Sequence, residues 1–336
     1  MRRVPIKDII SATGLSRATI DRALNGRGNI HPKTQKAIEE AMIRLGSVPE
    51  ALTPRTTAGE EIDIIYRLGK GLAEQFATTA ARGKLGLNLL DMNQKSDDEV
   101  YEAVERACRN PERPLILTAK RSPHLHALLL RARREGKRIV ALVSDLPVDT
   151  RDAFIGIDNR MAGQTAAFMI GNLLRERPAP VVGVVLGDHA FTCHEDREIG
   201  FRSNLRAFFP SVRLTDAVKG EDSPEQTKAA VGRLLAENPD IAAIYNVGGG
   251  NQGMVSALQE AGLCGNVFVM THEANCVTVP LMRDDAIHLV ISQHPEDLLG
   301  KAIKAARNEL TVDEASLADF ALYTKFNLPL YSTLSA

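Results

Sequence analysis

Cysteine is scarce and scattered in this 336-residue sequence: Cys108, Cys193, Cys264 and Cys276 lie far apart and form no C-x-x-C pair. Such spacing signals neither a zinc site nor a disulfide framework, so buried free thiols are expected. Long apolar runs are missing too, none approaching the ~18 residues that signal a membrane span. The first ten residues, MRRVPIKDII, carry two arginines but lack the apolar core and small-residue cleavage site of a secretory leader. These absences predict a chain that remains in the cytoplasm, away from membranes, with reduced thiols. Nor does a catalytic or metal-binding cluster stand out. Asp188-His189 and His194-Glu195 are close in sequence, but a metal needs three or four converging ligands, and solvated loop positions are the plainer reading. No cofactor and no catalytic residue are expected on these grounds.

What the chain does have is size and an uneven charge. At 44% hydrophobic residues it can bury a sizeable core, and its length suits two or three domains. Net charge is −1, yet the first 55 residues hold ten Lys and Arg against five Asp and Glu. Of the chain's 41 basic and 42 acidic residues, 31 and 37 are left for the remainder. A basic head on an acidic body points to polyanion binding at one end.

The head reads as three short helices. Ile6, Ile9 and Ile10 share one side of the first, which Gly14 ends as a C-cap. Ser16 is the N-cap of the second, which runs to Leu24 before Asn25-Gly26 breaks it. Ile20 and Leu24 face inward there, and Arg17, Asp21 and Arg22 outward. His31-Pro32 opens the third, whose apolar stripe is Ala37, Ile38, Ala41, Met42 and Leu45, with Gly46 behind it.

The segment VPIKDIISATGLSRATIDRALNGRGNIHPKTQKAIEEAMIRLG resembles the DNA-binding headpiece of the lactose-repressor family over its full length, without gaps. The resemblance implies a helix-turn-helix domain over residues 1–46 whose second helix lies in the major groove. It implies that Arg17, Ala18 and Arg22 face base edges, where arginine can bridge two guanine acceptors. It assigns Ser16, Thr19, Asn25 and Thr34 to phosphates, which fix register without reading sequence. Asp21 departs from the family's serine and either pairs with an arginine or accepts from cytosine. Residues 47–61 correspond to the family's hinge helix, but Thr53, Pro54 and Thr56 depart from its pattern. Proline disfavours helix at and before itself, leaving either a flexible linker or Leu52 as a displaced minor-groove wedge.

From Ile62 to the C-terminus, short apolar runs alternate with amphipathic stretches, as repeated strand-helix units do. The expected strands are IDIIYRL, GLNLLDM, PLILTA, RIVALV, AFIGI, VVGVVL, VRLTDAV, IAAIYNV, VFVMT, IHLVIS and FALYTKF. That is too many for one open sheet. Two doubly wound parallel lobes over residues 62–336 resolve the excess, with crossings near Asp158, near His272 and in the last strands.

This body resembles the periplasmic sugar-binding-protein fold that lactose-type regulators use as a sensor. The resemblance implies a ligand between the lobes, at the carboxyl ends of strands. The matching positions are Asp158 in AFIGIDNRMAG, Arg197 in EDREIGF, Asn246 in IAAIYNVGGGNQG, His272 and Glu273 in VFVMTHE, and Gln293 in VISQHPEDLLG. Carboxylate, guanidinium and amide groups together offer the paired donors and acceptors that a polyhydroxylated sugar needs. Whether His272 or Glu273 makes the contact stays open. Arg67 and Gln75 are candidates from the opposite lobe, and Tyr66 and Phe191 are candidates for stacking on a sugar ring. Plainer roles exist for each: Asp158 as a helix N-cap, Arg197 in a surface ion pair, Asn246 as a turn former, Gln293 as a strand-end hydrogen bonder, and the aromatics as core. The implied partners are double-stranded operator DNA, a sugar-like effector and a second copy of the chain in a homodimer.

One competing reading makes the protein an NAD-dependent oxidoreductase. Gly248, Gly250 and Gly253 satisfy G-x-G-x-x-G after a strand, with Glu273 ending the next strand 20 residues later, which imitates a dinucleotide site. Against it, that fingerprint normally opens its domain, whereas this loop lies deep in the second half of the body.

Overall fold

In a computed structural model of the protein, the described residues are 6–17, 19, 20, 34, 62–83, 86–310 and 317–329. The chain divides into two compact units, Met1–Glu60 and Glu61–Ala336.

In the first unit, helix α1 (Ile6–Thr13) buries Ile9. Gly14 follows at φ 68° and its N–H reaches Ile10 O at 2.8 Å, a left-handed stop that glycine takes without steric cost. Ser16 then caps a new helical turn. Its Oγ accepts from Thr19 N at 3.2 Å, and Ile20 N donates to Ser16 O at 3.1 Å. Ile20 is buried, Arg17 is exposed, and Thr34 is helical and half-buried. Ala18, Arg22, Asn25 and the connector over residues 47–61 lie outside the described residues.

The second unit has two lobes. Strands β1 (Ile62–Tyr66), β2 (Leu87–Asp91), β3 (Leu115–Thr118), β4 (Ile139–Leu142) and β5 (Ala153–Ile155) form a parallel sheet of order β2-β1-β3-β4-β5. The other sheet contains β6 (Val181–Leu186), β7 (Arg213–Lys219), β8 (Ile241–Asn246), β9 (Phe268–His272), β10 (Leu289–Gln293) and β11 (Phe320–Tyr323). Its order is β11-β10-β9-β8-β6-β7, parallel except where β11 runs against β10. Helices intervene: α2 (Lys70–Gly83), α3 (Asp97–Cys108), α4 (Pro123–Arg134), α5 (Asn159–Leu173), α6 (Thr192–Phe208), α7 (Pro224–Glu237), α8 (Asn251–Glu260), α9 (Thr278–Arg283) and α10 (Pro295–Ala306).

Both faces of each sheet are covered, which is why the inner strands are continuous apolar runs rather than alternating ones. On the first sheet, Leu72 and Phe76 of α2 join Leu298 and Ala302 of α10 on one face, and Val104 of α3 joins Leu125 and Leu129 of α4 on the other. On the second, α5 and α6 supply Ile170, Phe201 and Leu205 to one face, and α7 and α8 supply Leu234, Met254 and Leu258 to the other. Ser96, Ser122 and Ser223 cap α3, α4 and α7, the last two with proline in the first turn.

The first crossing between lobes follows β5 and reaches α5 through Asp158, where it was expected. The second is not near His272. Strands β9 and β10 both belong to the second sheet, and the chain returns only after Gln293, because α10 buries its apolar stripe against the first. The last crossing precedes β11, where Ala318 bridges Ile157. The four cysteines are free, with Cys108 and Cys193 buried.

Helices α5 and α6 touch backbone to backbone. A Cβ on Gly163 would collide with Arg197 O, and one on Gly200 with Arg160 O. Gly232, inside α7, faces open space. Gly163→Ala is therefore expected to lose about 1–3 kcal/mol in urea unfolding, whereas Gly232→Ala gains about 0.5–1 kcal/mol. Equal effects would contradict the close crossing.

Candidate functional site

The carboxyl ends of the strands in both lobes face a common seam, the place where loops converge on ligands in doubly wound folds. At one edge, Arg121 N donates to Ala190 O at 2.8 Å and Arg121 Nη2 reaches Glu195 Oε2 at 2.7 Å, while Lys120 Nζ lies 2.7 Å from Asp188 Oδ2. Thr192 Oγ1 adds a bond to Asp145 O at 2.6 Å. At the other edge, Gln75 Nε2 donates to Ala274 O at 3.0 Å and the Cys276 thiol to Glu74 Oε2 at 3.0 Å. Gly71 sits so close to Asn275 that no Cβ fits between them.

Arg197, 4% exposed on α6, is the centre of the polar cluster in the second lobe. Its Nε donates to Asn159 Oδ1 at 2.8 Å and its Nη1 to Val247 O at 2.8 Å. Its Nη2 stands 3.9 Å from Glu273 Oε1, within ion-pair range but beyond a hydrogen bond. Glu273 is held instead by Gln293, whose Nε2 donates to Oε1 at 2.7 Å, and by Ser292 Oγ at 3.4 Å from Oε2. Burial pushes the Glu273 carboxyl above the usual range, against the opposing pull of Arg197 and of its hydrogen bonds. Its φ of 64° places a non-glycine residue in the left-handed region, a strain that recurs at ligand clamps.

His272 lies beside this pair. Its Nε2 is 2.7 Å from the Tyr245 hydroxyl, and its Nδ1 is buried without a partner among the described residues. Burial, with Arg197 and His194 nearby, holds the His272 imidazole well below its ordinary value, and burial pushes Tyr245 up. With Tyr245 protonated and His272 neutral, the hydroxyl donates to Nε2 and the single hydrogen left unmatched is on Nδ1. The reverse tautomer strands two groups instead of one.

Arg197, Glu273, His272 and Gln293 are thus brought together at the ends of β9 and β10 and on α6. Asn246 is near but occupied: it donates to Gly249 O at 2.8 Å and to Asn251 Oδ1 at 2.9 Å, and accepts from Gly248 N, so it shapes the loop after β8. Asp158 caps α5, accepting from Met161 N at 2.9 Å. Arg67 pairs with Asp97 of its own lobe. Tyr66 and Phe191 are buried core rings, Phe191 edge-on to His194 at 5.4 Å. Asp188, His189, His194 and Glu195 are divided among separate partners: His189 pairs with Glu198, and His194 Nδ1 accepts from Asp188 N.

The glycine loop is built against the protein itself rather than against a phosphate. Gly249 N, the kind of donor a pyrophosphate would need, gives its hydrogen to Asp222 Oδ1 at 2.6 Å. Gly250 and Gly253 exist to let Thr227 and the Pro224 carbonyl approach. With the Glu273 carboxylate engaged by Gln293, the dinucleotide reading finds no support in this geometry. Sequence reasoning missed Asn159, Asn251, Tyr245 and Asp222. Asn159, the partner of Arg197, directly follows the Asp158 cap.

A family model described as a periplasmic binding protein domain matches residues 71–314. A curated relative, the HTH-type transcriptional regulator DegA of Bacillus subtilis (strain 168), is 21% identical over 250 residues, 71% of this chain and 72% of that protein. Among solved structures, an ABC transporter solute binding protein from Burkholderia graminis in complex with D-arabinose superposes with a TM-score of 0.72. It is 17% identical and covers 83% of this chain and all of that one. GanP, a glucose-galactose binding protein from Geobacillus stearothermophilus, gives a TM-score of 0.70 at 16% identity, over 82% of this chain and all of that one.

The depressed His272 value sets a sign for acid stability. A histidine buried neutral contributes stability that is complete above its ordinary value and is lost as pH falls below about 6.5. Urea unfolding from pH 7 to pH 5 should therefore show the wild type losing stability relative to a variant without this imidazole, by up to about 1.4 kcal/mol per pH unit, while the opposite contribution of the raised Glu273 carboxyl is common to both. His272→Gln should flatten that slope. Parallel slopes in the two proteins would contradict it.

Proposed function

We propose, from the premise that this chain belongs to the periplasmic binding protein domain family, that it is a sequence-specific transcriptional regulator of the lactose-repressor type. In this reading a homodimer in the cytoplasm grips operator DNA through the heads, and a small sugar-like ligand held between the lobes of each body sets the strength of that grip.

The observation that carries the ligand half is the buried arginine network. A guanidinium whose carboxylate partner stands beyond hydrogen-bond reach is a costly way to hold a fold. As a fork beside Glu273, Gln293 and an unmatched imidazole N–H, it suits hydroxyl groups that donate and accept at once. The sugar ligands named for the solved relatives agree with this. The DNA half is supported by the headpiece sequence and by the regulator relative. Ser16, Thr19, Asn25 and Thr34 are assigned to phosphates, and Arg17, Ala18 and Arg22 to base edges. Arg67, Asp158 and Asn246 take supporting places around the ligand, through Asp97, the α5 cap and the glycine loop. Coupling of about 1–3 kcal/mol between the two sites is the usual scale for such a switch.

A thermal-shift screen of sugars, sugar alcohols, purines and nicotinamide cofactors tests the ligand half. A sugar or sugar alcohol at about 100 times its Kd should add roughly 2.7 kcal/mol of stability, and Arg197→Lys, which keeps the charge but loses the fork, should remove that gain. Stabilisation by a nicotinamide cofactor alone would overturn the reading. In DNA titrations, Arg22→Ala is expected to lose roughly 1–3 kcal/mol and to relax preference at one base position. A uniform loss across all DNA sequences would instead make Arg22 a phosphate contact.

A further inference from the structure

The loop after β7 contains two consecutive non-glycine residues in the left-handed region, Glu221 at φ 49° and Asp222 at φ 56°. Backbone of that kind persists only where its surroundings enforce it. Here they carry the Asp222 side chain over the ends of β6 and β8, onto three glycines. A Cβ on Gly187 would collide with the Asp222 carboxylate, one on Gly248 would lie 2.6 Å from Oδ1, and one on Gly249 would lie 3.0 Å from the Asp222 Cβ. Three side chains are absent where this carboxylate sits.

The loop after β8 then holds two opposite charges within three residues. Val247 O accepts from the Arg197 guanidinium at 2.8 Å, and Gly249 N donates to Asp222 Oδ1 at 2.6 Å. Both charges bear on the buried His194 ring. Among the described residues no lysine or arginine pairs with Asp222, and its Oδ2 accepts no hydrogen bond from them. A half-buried carboxylate with a free oxygen therefore stands at the strand ends, one loop away from a guanidinium fork.

We infer that Asp222 is a ligand-contacting residue that accepts hydroxyl hydrogens and selects neutral polyhydroxylated ligands over their carboxylated counterparts. This rests on the sensor reading above. A neutral sugar offers hydroxyls to both the fork and the carboxylate. A sugar acid places a third carboxyl group beside those of Asp222 and Glu273, and like charges in a desolvated site discriminate strongly.

Calorimetric titration of the full chain with D-glucose, D-galactose, L-arabinose, D-glucitol and myo-inositol, and with D-gluconate and D-galacturonate, tests this. The wild type should bind at least one neutral probe and should bind the acids at least about tenfold more weakly. Asp222→Asn keeps an acceptor for Gly249 N but loses the charge, and should narrow that ratio to about threefold or less, while Asp222→Ala weakens the neutral probe about tenfold. Glu221→Ala, next door and exposed, should leave the ratio unchanged, and unliganded melting midpoints check that each variant folds. An unaltered ratio in Asp222→Asn, or a wild type that binds acids as well as neutral sugars, overturns the assignment and leaves the sensor reading standing. A wild type that binds none of the probes removes the sensor reading and this inference with it.

Discussion

The polar cluster of the second lobe is arranged around one guanidinium taken out of water. Arg197 has five donors and no acceptor, so burying it obliges the surrounding chain to supply oxygens at fixed places. Asn159 supplies one and the Val247 carbonyl another, and Glu273 supplies the compensating charge. Each comes from a different element: the start of α5, the loop after β8 and the loop after β9. The fold's topology makes this convergence possible, because parallel strands deliver all their following loops to the same edge of a sheet.

Close approach is the second constraint, and glycine meets it. Arg197 reaches Asn159 because Gly163 and Gly200 let α5 and α6 touch. The glycine loop is compact because Thr227, Pro224 and Asp222 fill the space its missing side chains leave. A sequence signature that imitates phosphate binding therefore has an internal explanation: the N–H group that would cradle an anion already holds the protein's own carboxylate. What stands at the seam in the second lobe is the Arg197 fork with the Glu273 carboxylate and the Gln293 amide beside it, the mixture of donors and acceptors on which the proposed hydroxyl-rich ligand rests.

Much of the fold was legible in the sequence because the buried inner strands leave unbroken apolar runs, while the edge strands β2, β7 and β11 kept enough apolar residues to be found too. The crossing point placed near His272 was misread, since nothing in VFVMTHE tells which sheet the following helix will cover. That is decided by the apolar stripe of α10, beginning with Leu298 and Leu299, which matches the first lobe. Of the candidate residues, Arg197, His272, Glu273 and Gln293 gathered, while Arg67 turned to Asp97 and Asp158 became a cap. Long side chains choose partners that no spacing rule specifies. Lys137 was invisible for the same reason, and Asp222 because the left-handed backbone at Glu221 and Asp222 that aims it carries no sequence signal. Lys137 is 2% exposed and is satisfied by carbonyls at the end of α3, a position that no hydropathy pattern assigns to lysine.

In the proposed regulator, the ligand held in the cleft changes the grip of the head on DNA. The most direct measurement is a DNA titration at physiological salt, using a sequence selected from a random pool and a scrambled control, with and without the sugar that raises the protein's melting temperature. A preference for the selected sequence of about a thousandfold or more is expected, with an affinity that the sugar changes by roughly 5- to 150-fold. Equal binding to both DNAs, or specific binding that the bound sugar leaves untouched, would contradict it.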